Sequence, residues 1–194
     1  MPSSLYADQI RLLVILLRYV NQEKGFAEIQ VLAFEDLYAG KLMAALDRQH
    51  PRDLFDVKVL LENEGISDAL FRTFMVYLVG SKGSIADALD PLGKTVNFED
   101  LYKRNFDGMT AEPIPLAALL ETRARLAAEI RSRLDDPLKQ FLMSVQSGKP
   151  DWDLLGVSGA ERFPAVQWRL LNVAKMKPDA MKKELSRLHK VLAQ

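Results

Sequence analysis

The stretch VLAFEDLYAGKLMAALDRQHPRDLFD, residues 31–56, decides how the chain folds. Just before it the pattern alternates, with Phe26, Glu28 and Gln30 set against Ala27, Ile29 and Val31, which is the period of a short half-buried strand over Phe26 to Leu32. From Phe34 the apolar positions recur at helical spacing, and no strand pattern follows. A first helix is expected from Glu35 to Arg48, with Glu35 and Asp36 complementing the positive end of its dipole. Its N-cap falls on Ala33, which has no side-chain acceptor and forfeits about 0.5 to 2 kcal/mol against Ser or Thr. Pro51 suits the first turn of a second helix, whose Leu54, Val57, Leu61 and the stem of Lys58 share a face up to Gly65.

Upstream, residues 10–20 are too short an apolar run to separate strand from helix, and Asn21 to Gly25 reads as a turn. Downstream, a third helix spans Asp68 to Val79 with Phe71, Phe74 and Tyr77 as a core face, and Gly80 to Gly83 stops it. Leu89 to Pro115 is expected to be an irregular connection with one short helix around Phe98 to Lys103. Helices then follow at Leu116 to Asp136, Pro137 to Gln146, Pro164 to Lys175 and Asp179 to Leu192, with a Ser147 to Gly159 loop between the second and third of these. Glu121 with Arg125 and Glu129 with Arg133 are spaced as helix ion pairs, each contributing about 0.2 to 0.5 kcal/mol.

The 194 residues carry 26 basic and 26 acidic side chains, so no global charge argues for a nucleic-acid or membrane-surface binder. With 48% hydrophobic residues the chain can bury a core unaided, and zero cysteines exclude disulfides, thiolate metal sites and cysteine nucleophiles. The two histidines, His50 and His189, lie far apart, so a His-rich zinc site is disfavoured and a Ser-His-Asp triad would need one of them. Leu12 to Leu17, bounded by Arg11 and Arg18, falls far short of the ~20 apolar residues of a membrane span. No secretory signal pattern opens the chain, so the expected address is cytoplasmic and no membrane partner is expected.

The densest polar constellation is Lys41, Asp47, Arg48, His50, Arg52, Asp53 and Asp56. Lys41 and Arg48 are seven apart on one helix and point the same way, while Asp53 and Asp56 are three apart on the next. Two or three cations opposite two carboxylates can grip a polyphosphate while the acids orient a cation or a hydroxyl. The plainer alternative stays open on spacing alone: Arg52 and Asp56 form an ordinary helix ion pair, Asp53 sits where any first-turn acid is stabilising, and His50 merely precedes Pro51.

This segment, with Lys41, Arg48 and the Pro51-Arg52-Asp53-x-x-Asp56 spelling, resembles the signature of the AbiEii family, nucleotidyltransferase-like toxins of type IV toxin-antitoxin and phage-abortive systems. GKPDWDLL at 148–155 and FPAVQWRLLN at 163–172 resemble that family's C-terminal half, so the likeness runs from about Phe26 to Lys175. It implies a catalytic set of Lys41, Asp53 and Asp56, with Lys41 facing phosphates and Arg48 and Arg52 assisting as substrate-binding residues. For the intact family it implies magnesium and a nucleoside triphosphate as cofactor and substrate, with RNA or protein as acceptor. The family also carries a Gly-Ser or Gly-Gly-Thr turn and an Asp-x-Asp pair for the metal ions, upstream of where Phe26 falls. Residues 1–25 hold only Asp8 and Glu23 as acids, and Asp151-Trp152-Asp153 has the spelling but lies in a distant loop. Ala33 stands where the family usually has Ser or Thr.

The expectations are therefore an α+β but predominantly α-helical chain, with a small nucleotidyltransferase sheet remnant at the N-terminus. Residues 1–66 would form a partial nucleotidyltransferase-like domain and 67–194 a helical C-terminal domain. The chain would be a truncated AbiEii-like transferase, inactive alone, with no metal site and no cofactor of its own. The alternative is a non-catalytic helical module that binds an antitoxin or a separate catalytic half. Expected partners are a cognate antitoxin or a missing catalytic segment, a second copy through exposed sheet edges, and an RNA acceptor. The last twenty residues, with Lys175, Lys177, Lys182, Lys183, Arg187 and Lys190 against Asp179 and Glu184, offer a basic patch for nucleic acid or simply a solvated helix face.

Overall fold

The computed structural model describes residues 31–93 and 96–193. In chain order the helices are α1 (Phe34–Asp47), α2 (Pro51–Asn63), α3 (Asp68–Gly80), α4 (Ile85–Leu89), α5 (Phe98–Asn105), α6 (Leu116–Arg133), α7 (Asp136–Gln146), α8 (Pro164–Ala174) and α9 (Pro178–Leu192). Short 3-10 turns at Pro91–Gly93, Trp152–Leu154 and Ala160–Arg162 punctuate the connections.

The α+β expectation is corrected. Of the described residues 73% are helical and none is in a strand, so no sheet remnant exists among them. Of the expected strand, Phe26 to Gln30 lie outside the described residues, as do the ambiguous residues 10–20 and the turn at Asn21 to Gly25. Val31 and Leu32 are described, but they pair with nothing as strand and stand 62% and 69% exposed. Alternation alone cannot make a strand, because the extended backbone needs a neighbour to satisfy its N–H and C=O groups.

Local chemistry explains the helix starts. Ala33 caps α1 without a side-chain hydrogen bond. Ser67 accepts the Leu70 N–H at α3, and Asp135 accepts the Leu138 N–H at α7. α2 closes on a left-handed Gly65, whose N–H reaches the Leu60 carbonyl. The connection expected to be irregular does hold α5, and Tyr102 Oη donates to the Ile114 carbonyl at 2.8 Å to tie its far end down.

Among the described residues α1 lies most extensively against α3, α2 packs on α6 and α5, α3 on α8, and α9 on α7 and α4. Leu42 and Leu46 of α1, Leu70, Phe74 and Leu78 of α3, and Leu54 and Leu60 of α2 are fully buried together. The expected aromatic core face holds for Phe71 and Phe74, whereas Tyr77 remains 37% exposed. Of the two expected α6 ion pairs, Glu129 and Arg133 meet at 2.8 Å, but Arg125 donates instead to the Leu61 carbonyl, closing the end of α2.

One buried cation organises the turn after α3. Arg169 of α8 is 8% exposed and donates to the carbonyls of Val79, Ser81 and Gly83 at 3.1, 2.6 and 2.6 Å. Burial lowers the pKa of its guanidinium, and the negative charge of Glu184 opposes that shift. Glu184 in turn accepts from Ser84 Oγ. Arg169→Met should therefore strand several carbonyls and cost about 3 kcal/mol or more, whereas Trp168→Ala at the neighbouring exposed position should stay within about 1 kcal/mol. Urea midpoints of the two variants check this; equal losses would mean that the clamp contributes nothing.

Candidate functional site

The α1–α2 connection is three residues long and each has a distinct task. Arg48 ends α1, Gln49 takes a left-handed backbone (φ 52°), and His50 caps α2 by accepting the Arg52 N–H at Nδ1, 3.2 Å away. Pro51 then supplies the first helical position, where its missing N–H is harmless. Gln49 is fully buried, and its Nε2 donates to the Pro91 carbonyl at 2.8 Å. The same carbonyl accepts from Arg123, whose guanidinium lies 4.9 Å from the Phe98 ring centre. This buried anchor fixes the angle at which α2 leaves α1.

The consequence is a two-rung ladder of charge. Lys41 Nζ of α1 meets Asp56 Oδ2 of α2 at 2.5 Å, with both side chains about a third exposed. At the tip, Arg48 Nη2 meets Asp53 Oδ1 at 2.8 Å, the arginine 65% and the aspartate 15% exposed. Asp53 Oδ2 is buried with no hydrogen-bond partner among the described residues. Of the five residues that the resemblance marks as catalytic or substrate-binding, four thus form two ion pairs. Arg52 does not join them: its Nε donates to the Asn105 carbonyl at the end of α5, 2.9 Å away. The ordinary Arg52 to Asp56 helix pair is accordingly absent, because Lys41 reaches that carboxylate across the helix pair while Arg52 closes α5.

The residues present do not fit a resident pair of magnesium ions. Asp53 and Asp56 each already hold a cation on one oxygen, and a divalent ion would have to displace or face Lys41 and Arg48. No cluster of three or more His, Asp or Glu ligands occurs among the described residues. Asp151 and Asp153 are exposed at the 3-10 turn between α7 and α8.

A second feature lies on another face of α1. Asp36, Gly40 and Met43 recur at helical spacing roughly 130° around the helix from Lys41 and Arg48. Asp36 and Met43 line an apolar groove of about 640 Å³ between α1, α3 and the start of α8, together with Val76, Tyr77, Phe163 and Val166. Gly80 lets α8 approach, since a Cβ there would sit 3.2 Å from that of Ala165. Burial, and then the neighbouring Asp36 charge, push the pKa of the Tyr77 hydroxyl above its ordinary value. Neither Gln49 nor the groove was evident in the sequence: a lone Gln between helices carries no pattern, and Asp36 reads as a dipole partner.

The family model described as nucleotidyl transferase AbiEii toxin, type IV TA system, matches residues 8–170, and the chain belongs to that family. Membership implies an antitoxin partner. Neither the curated proteins nor the solved structures contain a significant match. No helix among the described residues is long and apolar enough to cross a membrane.

Two stability measurements check this geometry. A double-mutant cycle on Lys41 and Asp56 should give a coupling of about 0.5 to 1 kcal/mol, while Arg52 and Asp56 should give none. At the turn, Gln49→Gly and Gln49→Ala lose the same amide, so the glycine variant should be more stable by about 1 kcal/mol through relief of the left-handed backbone. Equal stabilities in chemical denaturation would remove strain from the account of this turn.

Proposed function

We propose that the α1–α2 ladder is the phosphate-facing wall of an AbiEii-type nucleotidyl transferase. The reaction is attack of an acceptor oxygen, on RNA or protein, on the α-phosphorus of a nucleoside triphosphate. A new P–O bond forms, the bond to pyrophosphate breaks, and the acceptor's proton leaves to a base or water. Lys41 moves from Asp56 to a phosphate oxygen and returns to that carboxylate between turnovers, while Arg48 and Arg52 add positive charge alongside from their places on Asp53 and the Asn105 carbonyl. The observation that carries this reading is the Lys41 to Asp56 rung, partly open to solvent in a segment that the family model spans. A rung with a third of each side chain exposed contributes only about 0 to 1 kcal/mol, so its exchange for a phosphate contact is cheap.

These 194 residues alone are proposed to be catalytically silent, because residues 1–25 carry no Asp-x-Asp pair to hold the metal ions that the family's reaction implies. Exposed Trp168 and Leu171 on the outer face of α8 favour a second reading, in which the chain is a non-catalytic module that docks an antitoxin or a catalytic half.

Titration of the purified chain with ATP or inorganic triphosphate should show salt-sensitive binding that Lys41→Ala weakens by about tenfold, with the loss shrinking as ionic strength rises. Stability of that variant should change by less than about 1 kcal/mol. Metal-dependent incorporation of labelled nucleotide by the chain alone would overturn the silence, and unaltered triphosphate binding by Lys41→Ala would favour the interaction module.

A further inference from the structure

We propose that the outer face of α8 pairs with the same face of a second copy of this chain, in an antiparallel two-fold dimer where Lys175 of each copy reaches the groove of the other. This does not rest on the phosphate-binding reading. Where the interaction-module reading leaves α8 to an antitoxin or a catalytic half, the pattern on the helix favours a copy of itself.

The first observation is the phase of α8. Pro164, Trp168, Leu171 and Lys175 follow one another at steps of four, three and four residues, so they fall within about 60° on one side of the helix. Val166, Arg169 and Val173, all buried, lie on the opposite side. The stripe therefore points away from the core, with Trp168 47% and Leu171 60% exposed. A tryptophan and a leucine side by side at the centre of an exposed helix face have the composition of an interface core, not of a solvated surface.

Second, the stripe reads the same in both directions. About a point midway between Arg169 and Leu170, Trp168 mirrors Leu171 and Pro164 mirrors Lys175. An antiparallel pairing about that point sets each Trp168 on Leu171 of the second copy, which is the self-complementarity that a two-fold interface demands. It also runs the two helix dipoles in opposite directions.

Third, the ends of the stripe match in charge. Pro164 lines the groove between α1, α3 and α8 as well as starting the stripe, so this register brings Lys175 of the second copy to the groove's mouth. The groove is apolar along Val76, Phe163 and Val166, and Asp36 is the only charged side chain among the described residues that line it. A lysine suits such a groove, because its stem lies on apolar walls while its ammonium meets the carboxylate. Two such contacts, one at each end, fix the register of the central apolar pair. The 11 residues of α8 rise only about 16 Å, so the helix faces alone fall short of the roughly 800 Å² per partner of a standard interface, and the dimer is expected to be weak and concentration-dependent.

Sedimentation equilibrium of the full chain from about 5 to 500 µM tests the proposal. The parent should move from the mass of one chain toward that of two. Leu171→Asp should stay monomeric throughout and bind ATP as the parent does, whereas Met109→Asp, at a residue 58% exposed elsewhere, should dimerise like the parent. Asp36→Lys and Lys175→Asp should each weaken dimerisation by about tenfold or more, because each homodimer then opposes like charges at both ends. Mixed in equal amounts, these two variants should associate again, since both ends of the mixed pair carry opposite charges. All variants must keep the parent's helical circular dichroism, and Leu171→Asp gives an independent reading where Asp36→Lys fails to fold. A parent that stays monomeric at the highest concentration would overturn the proposal and leave the face to a different partner. So would a dimer that survives Leu171→Asp, dimerisation untouched by both charge reversals, or weakened variants that do not recover on mixing.

Discussion

The contact of α1 with α3 is the constraint on which the rest of the structure depends. Leu42 and Leu46 are buried against Phe74 and Leu78, and once that face is committed the remaining surface of α1 has no freedom. Helical geometry then places Lys41 and Arg48 toward α2 and Asp36 with Met43 toward the groove. A Cβ at position 40 would meet the Tyr77 ring at 3.5 Å, an ordinary contact, so the approach does not depend on Gly40. The ladder and the groove are thus two consequences of one packing decision, and the apolar term behind it far exceeds the exposed ion pairs that it positions.

What the sequence made legible follows from the range over which each signal acts. Helix starts depend on residues within a turn, so Ala33 before α1 and Pro51 at the head of α2 mark boundaries that the structure keeps, whereas the helix expected to run to Asp136 stops at Arg133 and Asp135 caps the next one. The pairing of Lys41 and Arg48 with the acids of α2 also followed, because helical phase and a tight connection bring those faces together. Alternation did not make a strand of Val31 and Leu32, since pairing is a property of two segments and neither residue has a strand beside it among the described residues. Arg52 failed for a related reason: the carbonyl that captures it belongs to Asn105, far along the chain and on a helix that only tertiary packing delivers.

The buried polar groups show where the fold spends its hydrogen bonds. Arg169 and Gln49 both lie out of solvent, and both aim donors at backbone carbonyls rather than at carboxylates. A carbonyl in a tight turn has no helical partner, and a side-chain donor that reaches it removes a penalty of about 1 to 3 kcal/mol. Arg169 does this for three carbonyls around the α3–α4 turn, and Gln49 joins Arg123 on the Pro91 carbonyl. These two knots flank the helices that carry the ladder, so the charged pairs rest on elements that are fixed independently of them.

That independence bears on what the ladder can do. A charged pair that held the fold together could not release its lysine without loosening the protein, whereas Lys41 and Arg48 are backed by an apolar contact and a buried turn. The partial exposure of the Lys41 to Asp56 pair lets an incoming polyanion compete for that lysine, where the pair is weak. Asp53, only 15% exposed and with one oxygen lacking a partner among the described residues, differs from its three neighbours: removal of Arg48 would take the counter-charge from a mostly buried carboxylate. The tip rung is therefore the more structural of the two, and Lys41, not Arg48, is the cation that the architecture leaves free to exchange its partner.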